Sequence, residues 1–297
     1  MELSLARAKV KAMITDQETN FVYFSDLLPH RHSKFFKELT VILQRKRIRY
    51  GLLPDTNDIW CRDYMPVQVS KDEFVQFKYD PKYLQTKKWR LTITNAAKTC
   101  QAIGINPKIS DLVVDGGNVV RCGSKAIMTE CVYQENSSYP KESLVSLLKD
   151  LLKVDQLIMI PVEPEDPYGH ADGCVRFISK DQVIINKPSG SHSGFDKELR
   201  RILTDSGLAY VELPYSIEDD LRNEDSAVGN YVNYLDTGSV ILLPSYGGHE
   251  KSNEQAFAIA SEAMEEHDKK VILVESTDLA KDGGILNCAS WEIKLEF

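Results

Sequence analysis

Residues 169–186 read GHADGCVRFISKDQVIIN. A histidine and an aspartate stand between glycines, ahead of two β-branched runs separated by a short polar break. Such runs read as the two strands of a hairpin, with His170 and Asp172 at its entrance. Taken alone, the His-Ala-Asp pair is equally a polar turn at the start of a strand. Working outward from it decides the fold, because the same arrangement recurs.

Strand-like runs that follow a polar break also occur at EFVQF (73–77), KAIMT (125–129) and SVILL (239–243). With QVIIN (182–186), their central residues Val75, Ile127, Ile184 and Ile241 are separated by steps of 52, 57 and 57 residues. Each run follows a glycine-rich or polar segment that reads as the first strand of a hairpin: IWCRDYMPVQV, VVDGGNVVRC, GHADGCVRFIS and AVGNYVNYLD. A fifth such segment, DGGILNCASWEI, closes the chain. One polar residue from each, Asp63, Asn118, Asp172, Asn230 and Cys288, gives spacings of 55, 54, 58 and 58.

Between the hairpins lie segments with apolar residues at three-and-four spacing: 34–46, 91–104, 141–153, 197–207 and 254–267. This is the amphipathic helix pattern, with one stripe for the core and one face for solvent. Each helix leads into another β-rich run: IRYGLL, LVV, QLIMIP, YVELP and VILVES. The unit is therefore strand, strand, helix, strand, about 55 residues long and repeated about five times. Units of this size cannot each hold a core, but arranged around an axis they bury hairpins inward and helices outward. No Gly/Ser-rich linker or low-complexity tract interrupts them, which predicts a single catalytic domain over 1–297. In a closed ring, first strands from distant parts of the chain point to one centre.

That centre would gather Asp63, the Gly116-Gly117-Asn118 turn, His170, Asp172, Asn230 and Cys288. Two carboxylates grip a planar guanidinium through paired N–H bonds. A thiolate beside a cation is a strong nucleophile, and an imidazole exchanges protons near neutral pH. Residue by residue, other readings stay open: Cys288 as a buried thiol, Asp63 as a partner for Arg62, Asp115 as a turn stabiliser, Trp60 as core filling.

The set resembles the guanidine-modifying, or pentein, superfamily, and within it the agmatine deiminase and bacterial peptidylarginine deiminase family. The resemblance is carried by Trp60-Cys61-Arg62-Asp63 with Pro66, Asp115-Gly116-Gly117-Asn118, Gly169-His170-Ala171-Asp172-Gly173, Gly229-Asn230-Tyr231-Val232-Asn233 and Gly283-Gly284 with Cys288. It implies an α/β fold, a fivefold pseudo-symmetric propeller of ββαβ units, and guanidinium hydrolysis without a metal or cofactor. It also implies that Cys288 attacks the guanidinium carbon and His170 serves as acid and base. Asp63 and Asp172 would hold the nitrogens, with Trp60, Asp115, Asn118 and Asn230 as substrate-binding positions. The chain departs from the agmatine deiminases at Asn287, where they commonly carry histidine, and at Asp115, where they usually carry glutamate.

Composition narrows the partners. The 297 residues carry a formal charge of −8 and a pI near 5.4, which disfavours nucleic acid and suits a small cation. No window approaches the roughly 18 apolar residues a membrane span needs, and the N-terminal MELSLARAKVKAMITDQETN lacks a continuous apolar region, which predicts a cytoplasmic protein. Six cysteines without a CxxC pair fit a reducing compartment. A homo-oligomer is compatible with the sequence. The glycine-rich loops around His192 and His249 are candidate lids. The expected activity is deimination of agmatine or a related small alkylguanidine. Amidino transfer, peptidylarginine deimination and catalytically silent guanidine or polyamine binding are the alternatives.

Overall fold

The computed structural model describes residues 14–15, 18–164, 166–187, 193–215 and 226–296. His192 lies outside them, so the lid expected there is not part of the description below. The strands are β1 (Phe21–Ser25), β2 (Arg49–Leu53), β3 (Val67–Ser70), β4 (Glu73–Lys78), β5 (Lys108–Val113), β6 (Val120–Cys122), β7 (Lys125–Thr129), β8 (Gln156–Ile160), β9 (Val175–Ser179), β10 (Gln182–Asn186), β11 (Ala209–Leu213), β12 (Leu235–Asp236), β13 (Val240–Ser245), β14 (Lys270–Glu275) and β15 (Ser290–Ile293).

They form five three-stranded sheets of one design, in which the middle strand pairs antiparallel with the first and parallel with the third. All four marker residues fall on middle strands. Val75 faces Val67 and Lys108, Ile127 faces Val120 and Ile158, Ile184 faces Arg176 and Val211, and Ile241 faces Asp236 and Val271. A parallel neighbour demands a crossover, and each crossover is a helix: Ala96–Ala102, Lys141–Leu152, Ser193–Asp205 and Glu250–Glu265.

The fifth sheet joins the two ends of the chain. Its first strand is the C-terminal β15, its middle strand is β1, and the helix Ser33–Arg45 crosses over to β2. Residue Tyr23 lies between Trp291 on one side and Gly51 on the other. Hydrogen bonds tie neighbouring sheets together. Arg121 Nη1 donates to the Gln68 carbonyl at 2.6 Å, Arg176 Nη1 to the Tyr234 carbonyl at 2.9 Å, and Trp291 Nε1 to the Pro66 carbonyl at 2.8 Å.

The helices follow their apolar stripes. Ser33–Arg45 buries Phe35, Leu39 and Leu43 at four-residue steps against Val22 and Phe24 of β1. Lys141–Leu152 buries Leu144, Leu148, Leu151 and Leu152. Each such leucine contributes about 1.5–3 kcal/mol by leaving water.

Two expectations are corrected. The segment 91–104 is helical only over Ala96–Ala102, because Asn95 caps it by accepting from the Lys98 N–H at 3.2 Å, and a 3-10 turn precedes it at Trp89–Thr92. The expected site residues also do not sit on the first strands. They occupy short turns just ahead of them: Cys61–Tyr64 before β3, Gly116–Asn118 before β6 and Ala171–Gly173 before β9. Those strands are buried along their length, so the turn at the strand entrance is where a polar side chain can face the axis.

Candidate active site

Five spokes of the ring deliver their turns to one place. Asp63 comes from the helical turn Cys61–Tyr64, where the Asp63 N–H donates to the Trp60 carbonyl. Its Oδ1 accepts the Gly117 backbone N–H at 3.1 Å. Gly117 is required there: a Cβ at this residue would lie 2.6 Å from Asp63 Oδ1, 2.8 Å from His170 Nδ1 and 3.3 Å from Asp172 Oδ2. That single point locates the convergence of three candidate side chains. Its neighbour Gly116 is constrained by backbone instead, since a Cβ would meet the Arg62 carbonyl oxygen at 2.0 Å.

His170 stands between two carboxylates. Its Nε2 is 3.0 Å from Asp115 Oδ2 and its Nδ1 is 3.6 Å from Asp63 Oδ1. Asp115 is held in turn by the Tyr83 hydroxyl at 2.6 Å. The rings of Tyr83 and Tyr168 pack around the imidazole, with centroids 6.2 and 6.0 Å away. The His170 backbone N–H donates to Asp166 Oδ2 at 2.9 Å, which fixes the entry to its turn.

Cys288 enters from the loop before β15. Asn233 Oδ1 lies 3.4 Å from its Sγ and accepts the backbone N–H groups of Cys288 and Asn287 at 3.3 and 3.1 Å. The Cys288 carbonyl accepts the Arg62 N–H at 3.1 Å, so the Cys288 loop is bonded directly to the turn that carries Asp63. Trp60 closes the other side of this loop. A Cβ on Gly284 would fall 2.6–2.9 Å from three Trp60 ring carbons, so the indole lies flat on glycine backbone.

Burial and charge set the protonation states. Burial raises the Asp63 carboxyl, the His170 cation pulls it back, and Asp115 and Asp172 push it up again, leaving it at about 7. Burial alone would lower His170, but Asp63, Asp115 and Asp172 outweigh it and hold the imidazolium well above 6.5. Burial raises the Cys288 thiol, and the negative charges of Asp172 and Asp63 raise it further, well above 9. The site by itself therefore holds a neutral thiol, an imidazolium and an excess of carboxyl groups in low dielectric, an arrangement that favours a cation.

The two expected asparagines are hydrogen-bonded to neighbouring turns. Asn118 accepts the Thr129 N–H at 2.8 Å and donates to Cys131 Sγ at 3.2 Å. Asn230 donates to the Gly173 carbonyl at 2.8 Å and accepts from the backbone N–H groups of Val232 and Asn233. Arg62 pairs with Glu292 of β15 rather than with Asp63. His249 sits at the start of the helix Glu250–Glu265 with its ring against Tyr246.

Asn233 and Asn287 lay within quoted motifs, but nothing in their spacing distinguished them from neighbours. Tyr83, in a 3-10 turn at Lys82–Leu84 between the second strand and the helix of its unit and outside every quoted motif, carried no sequence signal. Among the described residues, no group of three or more His, Cys, Asp or Glu side chains is arranged to hold a metal ion. No helix among them is long and apolar enough to cross a membrane.

A family model for Porphyromonas-type peptidyl-arginine deiminase matches residues 7–293. Among solved structures, agmatine deiminase of C. jejuni superposes with a TM-score of 0.77 at 18% identity, covering 96% of this chain and 97% of that one. Agmatine deiminase of Enterococcus faecalis gives 0.75 at 17%, covering 97% of each. An amidinotransferase of Microseira wollei gives 0.62 at 12%, covering 97% of this chain and 98% of that one. At such identities the likeness establishes a shared pentein fold and leaves the chemistry to the site.

Proposed function

This chain belongs to the Porphyromonas-type peptidyl-arginine deiminase family, and we propose that it is a guanidine deiminase acting on agmatine or a related small alkylguanidine. The observation that carries the reading is the meeting of Asp63, His170 and Asp172 around the missing side chain of Gly117, with the Cys288 loop bonded to the Asp63 turn.

Guanidinium is resonance-stabilised and resists attack, so catalysis must come from fixing its plane and stabilising its charge. Asp63 and Asp172 take the nitrogens, which aims the central carbon at Cys288. Burial and the negative charges of Asp172 and Asp63 keep the thiol protonated; the bound cation offsets part of that charge, so the thiol gives up its proton to solvent as the complex forms and meets the guanidinium as a thiolate.

The sulfur adds to the carbon. A C–N bond then breaks as His170 gives its proton to the departing ammonia. The product of this half is a thiouronium adduct on Cys288. His170, now neutral, takes a proton from water as the water adds to the adduct carbon. The C–S bond breaks, the ureido product leaves and the thiol is restored. Asp115, backed by Tyr83, holds the ring for both transfers. Asn118, Asn230 and Asn233 keep the turns in place.

Ammonia release from agmatine, free arginine and an arginyl peptide tests the reading. We expect ammonia from agmatine or a close relative without any added amine. Strict dependence on an amine acceptor would make the protein an amidinotransferase, and release only from the peptide would make it a peptidylarginine deiminase. Cys288→Ala should lower turnover by at least about 10³-fold while calorimetry still detects the bound guanidine. Unchanged turnover would remove Cys288 from the mechanism.

A further inference from the structure

The residue before the nucleophile, Asn287, bridges two charged groups from different spokes. Its Oδ1 accepts from Arg62 Nη2 at 3.0 Å, and its Nδ2 donates to Asp172 Oδ2 at 2.5 Å. Arg62 also donates from Nε to the Asn287 carbonyl at 3.4 Å and is ion-paired with Glu292. All four residues are buried. A guanidinium only donates and a carboxylate only accepts, so the two ends of the amide cannot exchange places.

We propose that Asn287 is a positioning residue for the substrate's guanidinium: the Arg62–Glu292 pair orients its amide, and the amide holds Asp172 by Oδ2 and so fixes the plane of the carboxylate that grips the ligand. The proposal rests on the guanidine deiminase reading. The same bonds solve a second problem. Arg62 carries the chain's own guanidinium, one residue before Asp63, and a free guanidinium there would compete for the carboxylates the substrate needs. Glu292 and the two oxygens of Asn287 occupy it instead.

Asn287→Asp separates this role from simple satisfaction of Arg62. The substitution keeps the size and an oxygen for Arg62, but it replaces the donor toward Asp172 with an acceptor. If Asn287 served Arg62 alone, the change would be tolerated. We expect instead that at about pH 8 the KM for the guanidino substrate rises about 10- to 100-fold, with kcat less affected. At about pH 5.5 two facing carboxyls share a proton, which restores a donor, so the loss should shrink to roughly a few-fold. Asn287→Ala should raise KM at both pH values without that recovery. A KM unchanged by Asn287→Asp, or a loss equal at both pH values, overturns the proposal.

A readout without substrate keeps the proposal apart from the deiminase reading. Relative to wild type, the Tm of Asn287→Asp should fall steadily as pH rises over this range, because the facing carboxyls lose their shared proton. This holds whether or not the chain turns over any guanidine. A Tm difference that stays flat with pH also overturns the contact on which the proposal stands.

Discussion

Asp63 loses more by ionising than an exposed carboxylate does, and this has a measurable consequence for stability. Its folded value of about 7 stands above the ordinary 3.8, so between those pH values the folded chain keeps a proton that the unfolded chain has lost. The extra proton favours folding at low pH, and its contribution is lost as pH rises through about 7. His170, also raised, moves stability in the same direction at higher pH. The unfolding free energy of wild type relative to Asp63→Asn should therefore decline from about pH 4 to pH 8, by roughly 4 kcal/mol at most. Urea unfolding of both proteins across that range measures it. A difference that grows with pH would contradict the assigned cluster.

Among the elements, the Gly116–Asn118 turn distinguishes catalysis from folding within two adjacent residues. A methyl on Gly117 enters the space between Asp63, His170 and Asp172, whereas one on Gly116 meets the Arg62 backbone. Side chains can rotate away from an intruder, but backbone carries its whole element with it. Gly117→Ala should fold with a loss near 1 kcal/mol and lower kcat/KM by about 10²-fold or more. Gly116→Ala should cost about 3 kcal/mol, read by denaturant unfolding. Equal stability losses would mean that the two glycines serve the same purpose.

Across the whole molecule, β15 does two things at once. It completes the fifth sheet against β1 from the other end of the chain, and the loop before it presents Cys288. Trp291 anchors this strand: it is buried, stacks 5.6 Å from Tyr23 and donates to the Pro66 carbonyl. Trp291→Ala should cost about 3–5 kcal/mol. Activity at temperatures below the lowered Tm should fall as well, because the strand and the Cys288 loop move together. Calorimetric unfolding combined with an ammonia assay checks both, and full activity in a destabilised variant would uncouple closure from catalysis.

Sequence periodicity by itself determined the ββαβ unit and four of the five middle strands, since local hydrophobic pattern and turn chemistry are written in adjacent residues; the chemistry of the side chains and the family resemblance singled out Asp63, His170, Asp172 and Cys288 as candidates. It did not show β1 as the fifth middle strand, because FVYFS follows no polar hairpin partner of its own; that partner lies at the other end of the chain. Nor could it distinguish a ligand-facing polar residue from one that holds a turn. Asn118, Asn230, Asn233 and Asn287 are the same residue type in similar motifs, and only their neighbours in space decide which backbone groups or charges their amides must satisfy. Pairings between parts of the chain far apart in sequence, such as Arg62 with Glu292 and Asn287 with Asp172, exist only once the ring closes, and tertiary structure alone decides them.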